Sequence, residues 1–254
     1  MKNFFIFMLL IISFGMLTGC SQQTNGVTKT LKVGTDANFP PFEYFQKETN
    51  SYTGFDVELI TALGKNMGYD KVEFVNADFD ELLKGLNERK YDVVIACMTV
   101  TEERKKAASF SDIYASGGYS VLAPVNFMDK NNNDILKNKK IAVEKGSITK
   151  DIAEKYTNTI IECNSSEEAL QKLADKTVDF FIVDKYVGAF FVANGYSKTA
   201  KILETLNVTG TSGMGIAVRK TDSELLAKIN TSLKEYKQTS SYEQLKTSYF
   251  GSIN

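Results

Sequence analysis

Glu81–Ala96 reads ELLKGLNERKYDVVIA, and Glu168–Val183 reads EALQKLADKTVDFFIV. The two segments align without a gap. Each opens as an amphipathic helix, passes a polar turn, reaches an aspartate and ends in a continuous apolar run. In the first, Leu82, Leu83 and Leu86 supply the apolar side of the helix. Asp92-Val93-Val94-Ile95-Ala96 then offers no polar face, as a strand covered by helices on both sides requires. Taken singly, any helix-to-strand unit reads this way; taken together, the pair predicts two α/β lobes of one build. Open α/β sheets bind ligands at the carboxyl ends of their strands. Cys97 and Asp184 occupy corresponding positions just beyond the two runs, so they would face one another across a shared cleft.

The flanking sequence continues the alternation. Leu31–Thr35 and Val72–Val75 read as strands, separated by a Pro40-Pro41 loop and a helix. In that helix Phe55, Leu59, Ala62, Leu63 and Met67 recur at helical spacing, with Gly68 as the stop. Asp78 or Asp80 is expected to cap the helix that begins near Leu82. Lys140–Val143 and Phe180–Val183 read as further buried strands, and Ser165-Ser166-Glu167-Glu168 as a capping box. Two amphipathic helices, roughly Ser223–Tyr236 and Tyr242–Tyr249, close the chain. Gly117-Gly118, ahead of a strand Tyr119–Ala123, would make the first crossing between lobes, and Thr209-Gly210-Thr211-Ser212-Gly213 the return. The expected division is residues 31–116 plus 210–254 for one lobe and 117–209 for the other.

Composition removes much chemistry. The 254 residues hold 30 basic and 31 acidic side chains, which gives no electrostatic footprint for nucleic acid. There is no histidine and no tryptophan. Without imidazole there is no Ser-His-Asp or Cys-His catalysis and no His-ligated zinc. Three scattered cysteines form neither a CxxC pair nor a disulfide framework. No catalytic residue, cofactor or metal is expected.

Met1-Lys2-Asn3 starts a chain that is unbroken apolar sequence from Phe4 to Ile12 and ends at Leu17-Thr18-Gly19-Cys20. The run is shorter than the ~20 residues that span a bilayer, so it reads as the core of an export signal. Small residues ahead of a cysteine closely resemble the bacterial lipobox. By that resemblance residues 1–19 are a signal peptide, and Cys20 carries diacylglycerol after cleavage, with further acylation of its amine. Residues 20–30, polar and without apolar periodicity, read as a flexible tether. An ordinary export signal with a chance cysteine is the alternative.

Five segments carry a wider resemblance: Leu31–Tyr44 (LKVGTDANFPPFEY), Gly54–Leu59 (GFDVEL), Met98–Arg104 (MTVTEER, continuing through Phe110-Ser111-Asp112), Val143–Ser147 (VEKGS) and Val178–Asp184 (VDFFIVD). In this order they resemble the extracellular solute-binding proteins of polar amino acid ABC transporters, solute-binding family 3. The resemblance implies a two-lobed periplasmic-binding-protein fold of type II, its lobes joined by two hinge strands. It implies a monomer on the outer face of the cell membrane, held there through its lipid anchor alone. There it would capture a free amino acid by lobe closure for a permease driven by an ATPase subunit.

The site follows from what a free amino acid requires. An α-carboxylate calls for the planar fork of arginine, and Arg104 lies in the first turns of a helix that Thr101 could cap. Its other reading is a solvated member of the Glu102–Lys106 charge run. By resemblance Thr99, with the backbone at Cys97, adds polar contacts; Cys97 stands where the family more usually has Gly or Ser. Asp184 is the acceptor for the α-ammonium, or alternatively a helix N-cap. Gly146-Ser147-Ile148 follows a strand and opens a helix, so its N–H groups could take the carboxylate, unless Ser147 simply caps. Phe39 and Phe79 match positions where the family places aromatics around the ligand side chain. Asp36 and Glu144 match positions that reach its distal end, favouring a basic amino acid, glutamine or cystine, unless they are turn or surface acids.

Two other classes use this fold. A periplasmic dehydratase would employ Asp36, Glu144 or Asp184 as general acids and would turn over small cyclic acids. A sensor module would usually carry a transmembrane segment downstream of Cys20, and none follows it in this sequence; nothing supports an adhesin directly.

Overall fold

Thr30–Thr35 pairs in parallel with Lys71–Asn76 on one side and with Val93–Val94 on the other. Ala217–Val218 and Ser109–Phe110 extend this first sheet antiparallel beyond Val93–Val94. In the second sheet Ile141–Glu144 lies between Ile160–Cys163 and Phe180–Asp184, parallel to both. Tyr119–Pro124 and Ala200–Leu206 complete it antiparallel. A computed structural model provides this architecture and describes residues 28–128, 135–206 and 213–251. The signal segment 1–19, Cys20, most of the tether and Thr209–Ser212 of the return crossing lie outside the described residues.

Both sheets therefore have three parallel strands followed by antiparallel ones, as the internal echo predicts. The likeness reaches individual atoms. Asp92 N–H donates to Lys32 O at 2.9 Å while Lys32 N–H donates to Asp92 Oδ2 at 3.0 Å. Asp179, its counterpart, exchanges the same two bonds with Lys140, each 2.8 Å. Arg89 and Lys176, which also correspond, both take left-handed backbone, at φ +61° and +59°.

Helix Phe55–Asn66 buries Phe55, Leu59, Ile60 and Leu63 against the first sheet and the two tail helices. Those tail helices span Ser223–Tyr236 and Ser240–Phe250. Burial of each such side chain stabilises the fold by roughly 1.5–3 kcal/mol. The second sheet buries Val121, Ile141, Val143, Phe180 and Ile182 in the same way. No described helix is long and apolar enough to cross a membrane.

Three local expectations are corrected. Asp78 precedes a 3-10 turn, Phe79–Glu81, and makes no side-chain cap; helix Leu82–Asn87 starts after that turn. Asp80 is instead drawn into an ion pair with Lys145 of the second lobe, 2.8 Å apart. In the capping box Ser165 Oγ accepts the Glu168 N–H as expected, but the Glu168 carboxylate reaches one residue farther, to Asn164 N–H. The apolar run Asp92–Ala96 forms a ladder only at Val93–Val94.

Candidate functional site

Beyond Val93–Val94 the chain stays buried through Ala96 and turns at Cys97, a non-glycine residue at φ +46°. Thr101 Oγ1 then accepts the Arg104 N–H at 3.2 Å and caps helix Glu102–Ala107. On its exposed side Lys105 pairs with Glu102 and Lys106 with Glu103. Arg104 faces the other way. Its guanidinium donates from Nη1 to Thr99 O at 2.7 Å and lies 5.0 Å from the centre of the Phe79 ring. From Nη2 it crosses to the second lobe and donates to Gly146 O at 3.0 Å. Guanidinium carries five N–H donors, so donors remain for a ligand.

In the second lobe Phe180–Asp184 ends on Asp184, buried to 5% exposure. Its Oδ1 accepts the Tyr186 N–H at 2.8 Å, so it does cap the following helix. Burial raises its pKa to about 7, against the pull of the Tyr186 and Val187 N–H groups. Glu144, at the end of Ile141–Glu144, is buried as deeply, and among the described residues nothing hydrogen-bonds its carboxyl. Burial, then the charges of Asp36 and Glu167, hold it well above the usual carboxylate range. The Ser147 N–H donates to Glu144 O at 3.1 Å and is spent within the turn.

These walls line one common cavity between the lobes. Phe39, Phe79, Cys97, Thr99 and Arg104 line it from one side, and Glu144, Ser147, Ile148 and Asp184 from the other. Two expected site residues do not line it. Asp36 lies behind, accepting the Phe79 N–H at 3.0 Å and an Asn38 side-chain N–H at 2.6 Å. Burial raises it to about 7, and the charges of Asp78, Asp80 and Glu167 add to that. Gly146, at φ +73°, offers only its carbonyl, to Arg104; a Cβ there would stand 2.7 Å from Asp80 Cβ.

Sequence reasoning missed Tyr119 and Met214. The Tyr119 hydroxyl lies 3.3 Å from Thr99 Oγ1, and Met214 Sδ lies 3.6 Å from the Cys97 thiol. Tyr119 directly follows Gly117-Gly118, which was the available signal. Met214 reaches the cavity by bridging to Thr99 and Ala115, distant in sequence, and no local pattern marks it. Cys97 and Cys163 are both free and buried. Among the described residues no cluster of three or more His, Cys, Asp or Glu could hold a metal ion.

A pocket with one guanidinium and two buried carboxyls, closed from both sides, suits a small zwitterion. Comparisons with known proteins agree with that chemistry. Residues 31–252 match the family model of bacterial extracellular solute-binding proteins, family 3. The arginine-binding extracellular protein ArtP of Bacillus subtilis (strain 168) is 32% identical, over 98% of each chain. An ancestral arginine-binding protein solved with glutamine is 36% identical at a TM-score of 0.81, over 89% of this chain and 99% of that one. The arginine-, lysine-, histidine-binding protein ArtJ of Geobacillus stearothermophilus is 32% identical at a TM-score of 0.79, over 89% and 97%. All three are named for what they bind rather than for a reaction.

Proposed function

The chain belongs to the bacterial extracellular solute-binding proteins of family 3, and from that premise we propose that it captures a free basic amino acid outside the cytoplasmic membrane for an ABC importer. The observation that carries this reading is the charge gathered on one cavity lined by both lobes. Arg104 faces it from one lobe, and Asp184 and Glu144 face it from the other. A ligand α-carboxylate would take the remaining Arg104 donors, and its α-ammonium would take Asp184. One acid, Glu144, is then left without a partner. A buried carboxylate is costly unless paired, so a cationic side chain suits the site better than a neutral one. Phe79, already stacked on Arg104, and Phe39 would flank that side chain.

In this reading residues 31–116 plus 210–254 and residues 117–209 close as two bodies about the hinge crossings. The closed form is what the permease and its ATPase would receive. Cys20 would carry the lipid that keeps the mature protein at the membrane; fatty-acid label on wild type but not on Cys20→Ala tests that part. The chain binds rather than catalyses, so the ligand leaves unchanged.

A thermal-shift screen of the mature protein against the free amino acids and cystine tests the reading. Arginine, lysine or histidine should raise the melting temperature most. A larger shift with glutamine or cystine would replace the basic class, and no shift with any would overturn the proposal.

A further inference from the structure

A layer below the cavity, Glu43 and Asp56 meet with no lysine or arginine beside them. They are 1% and 0% exposed, and among the described residues no ion pair reaches either. Gly54 makes the meeting possible. At φ +124° a Cβ there would stand 2.2 Å from Phe42 O, so only glycine lets the helix start so close to Phe42 and Glu43. Phe55 N–H then donates to Pro41 O and Asp56 N–H to Phe42 O, each at 2.9 Å.

Treated as two carboxylates, Glu43 Oε2 and Asp56 Oδ1 are buried oxygens without a donor. A proton on Glu43, donated to Asp56, gives both a partner. The other ionisable groups facing the pair are Asp36, Glu144, Asp184, the Cys97 thiol and the Tyr114 hydroxyl, and all of them are acidic. None of these groups offers a positive charge to offset a second negative one.

The free oxygen of Asp56 does further work. Its Oδ2 accepts the Cys97 N–H at 2.8 Å and the Tyr114 hydroxyl at 2.6 Å. Cys97 is the left-handed residue that lines the ligand cavity. Tyr114 sits at the hinge: its N–H donates to Met214 O at 3.0 Å, and its carbonyl accepts the Tyr242 hydroxyl at 3.0 Å.

We propose that Glu43 and Asp56 form a one-proton carboxyl pair that positions the ligand site, with Asp56 holding Cys97 and Tyr114 together and Glu43 holding Asp56. Neither touches the ligand. The affinity readout rests on the amino-acid-binding reading above; a second readout does not.

Calorimetry with L-arginine would compare Glu43→Gln, Glu43→Leu and Asp56→Asn with wild type. Gln keeps a donor for Asp56 and should stay within about threefold of wild-type affinity, while Leu fills the space without a donor. Glu43→Leu and Asp56→Asn should each lose ~10-fold or more, since hydrogen bonds to a charged group are at stake. Hydrogen exchange at the Cys97 amide of the unliganded proteins provides the second readout. It should quicken in Glu43→Leu and Asp56→Asn and stay slow in Glu43→Gln. Gln and Leu behaving alike in both measurements would overturn the proposal, as would an unchanged Asp56→Asn. Should wild type not bind L-arginine, the ligand that shifts wild type most in the thermal screen takes its place; should none bind, the functional reading falls and the exchange data alone decide the pair. A variant that melts early is judged against Tyr114→Phe, which deletes one donor to Asp56 and should quicken Cys97 exchange less than Asp56→Asn.

Discussion

Arg104 Nη2 donates to Gly146 O at 3.0 Å, and this bond joins the two lobes at the wall of the cavity. Beside it Lys145 pairs with Asp80 at 2.8 Å, again lobe to lobe. The residue expected to bind a carboxylate is thus also a closing contact. A ligand that fills Arg104's remaining donors would fix the guanidinium in the orientation that bridges the lobes, which couples occupancy to closure.

Gly146→Ala should weaken ligand binding by ~10-fold while the fold persists. Left-handed backbone costs a non-glycine residue roughly 1–2 kcal/mol, and the added Cβ would meet Asp80 at 2.7 Å. The backbone cost is common to open and closed forms, but the Asp80 contact falls on the closed form alone, since opening relieves it. Calorimetry gives the affinity and circular dichroism the fold; an unchanged affinity would mean that closure does not need this approach.

Binding should release protons below neutral pH. The Asp184 carboxyl has a pKa raised to about 7 by burial, and a ligand ammonium favours its ionised form. Below that value the ligand must displace a proton, so affinity should fall by up to about tenfold per pH unit. Calorimetry at pH 6 in buffers of different ionisation enthalpy counts the protons. Equal release at pH 6 and pH 8.5 would remove Asp184 from the ammonium site.

The unliganded protein should be more stable at pH 5 than at pH 8. Asp36 and Asp184 are raised to about 7 and Asp56 to about 6, all mainly by burial, and burial also holds Glu43 and Glu144 well above the usual carboxylate range. Each binds a proton more tightly folded than unfolded, so its contribution is fully present below pH ~4 and is lost as pH rises through the folded value. Thermal unfolding across that range measures the slope. A melting temperature that rises from pH 5 to pH 8 would contradict it.

The sequence made legible what depends on local order. The echo of Glu81–Ala96 in Glu168–Val183 announced two like lobes because a helix, an aspartate and a buried strand leave a periodic trace. Nine expected site residues line the cavity because they sit at strand ends and helix starts, where chain position fixes spatial position. Asp36 was not separable from them: Phe39, three residues on, does line the cavity, and only the folded loop shows the Asp36 carboxyl held by Phe79 and Asn38. Met214 and Tyr119 arrive through the hinge, by pairing across long sequence distances. Glu43 lay within the quoted Leu31–Tyr44 segment and Asp56 within Gly54–Leu59, yet their meeting depends on how two segments pack.

Arg104 carries the final prediction. Truncating one partner of a desolvated charge pair costs roughly 2–5 kcal/mol, because the other charge is left buried. Arg104→Ala should therefore weaken binding by at least ~30-fold, at about 1.4 kcal/mol per tenfold. It also removes the bond to Gly146 and the stacking on Phe79, so the loss includes part of closure. Arg104→Lys keeps the charge without the planar, bidentate fork, so it should recover only part. Lys105→Ala is the control: that side chain is exposed and paired with Glu102, where an ion pair is worth little. Calorimetry on the three variants, with circular dichroism for folding, separates the cases. If Lys105→Ala lowers affinity while Arg104→Ala leaves it intact, the ligand carboxylate lies elsewhere, and Arg104 serves only to bridge Thr99 and Gly146.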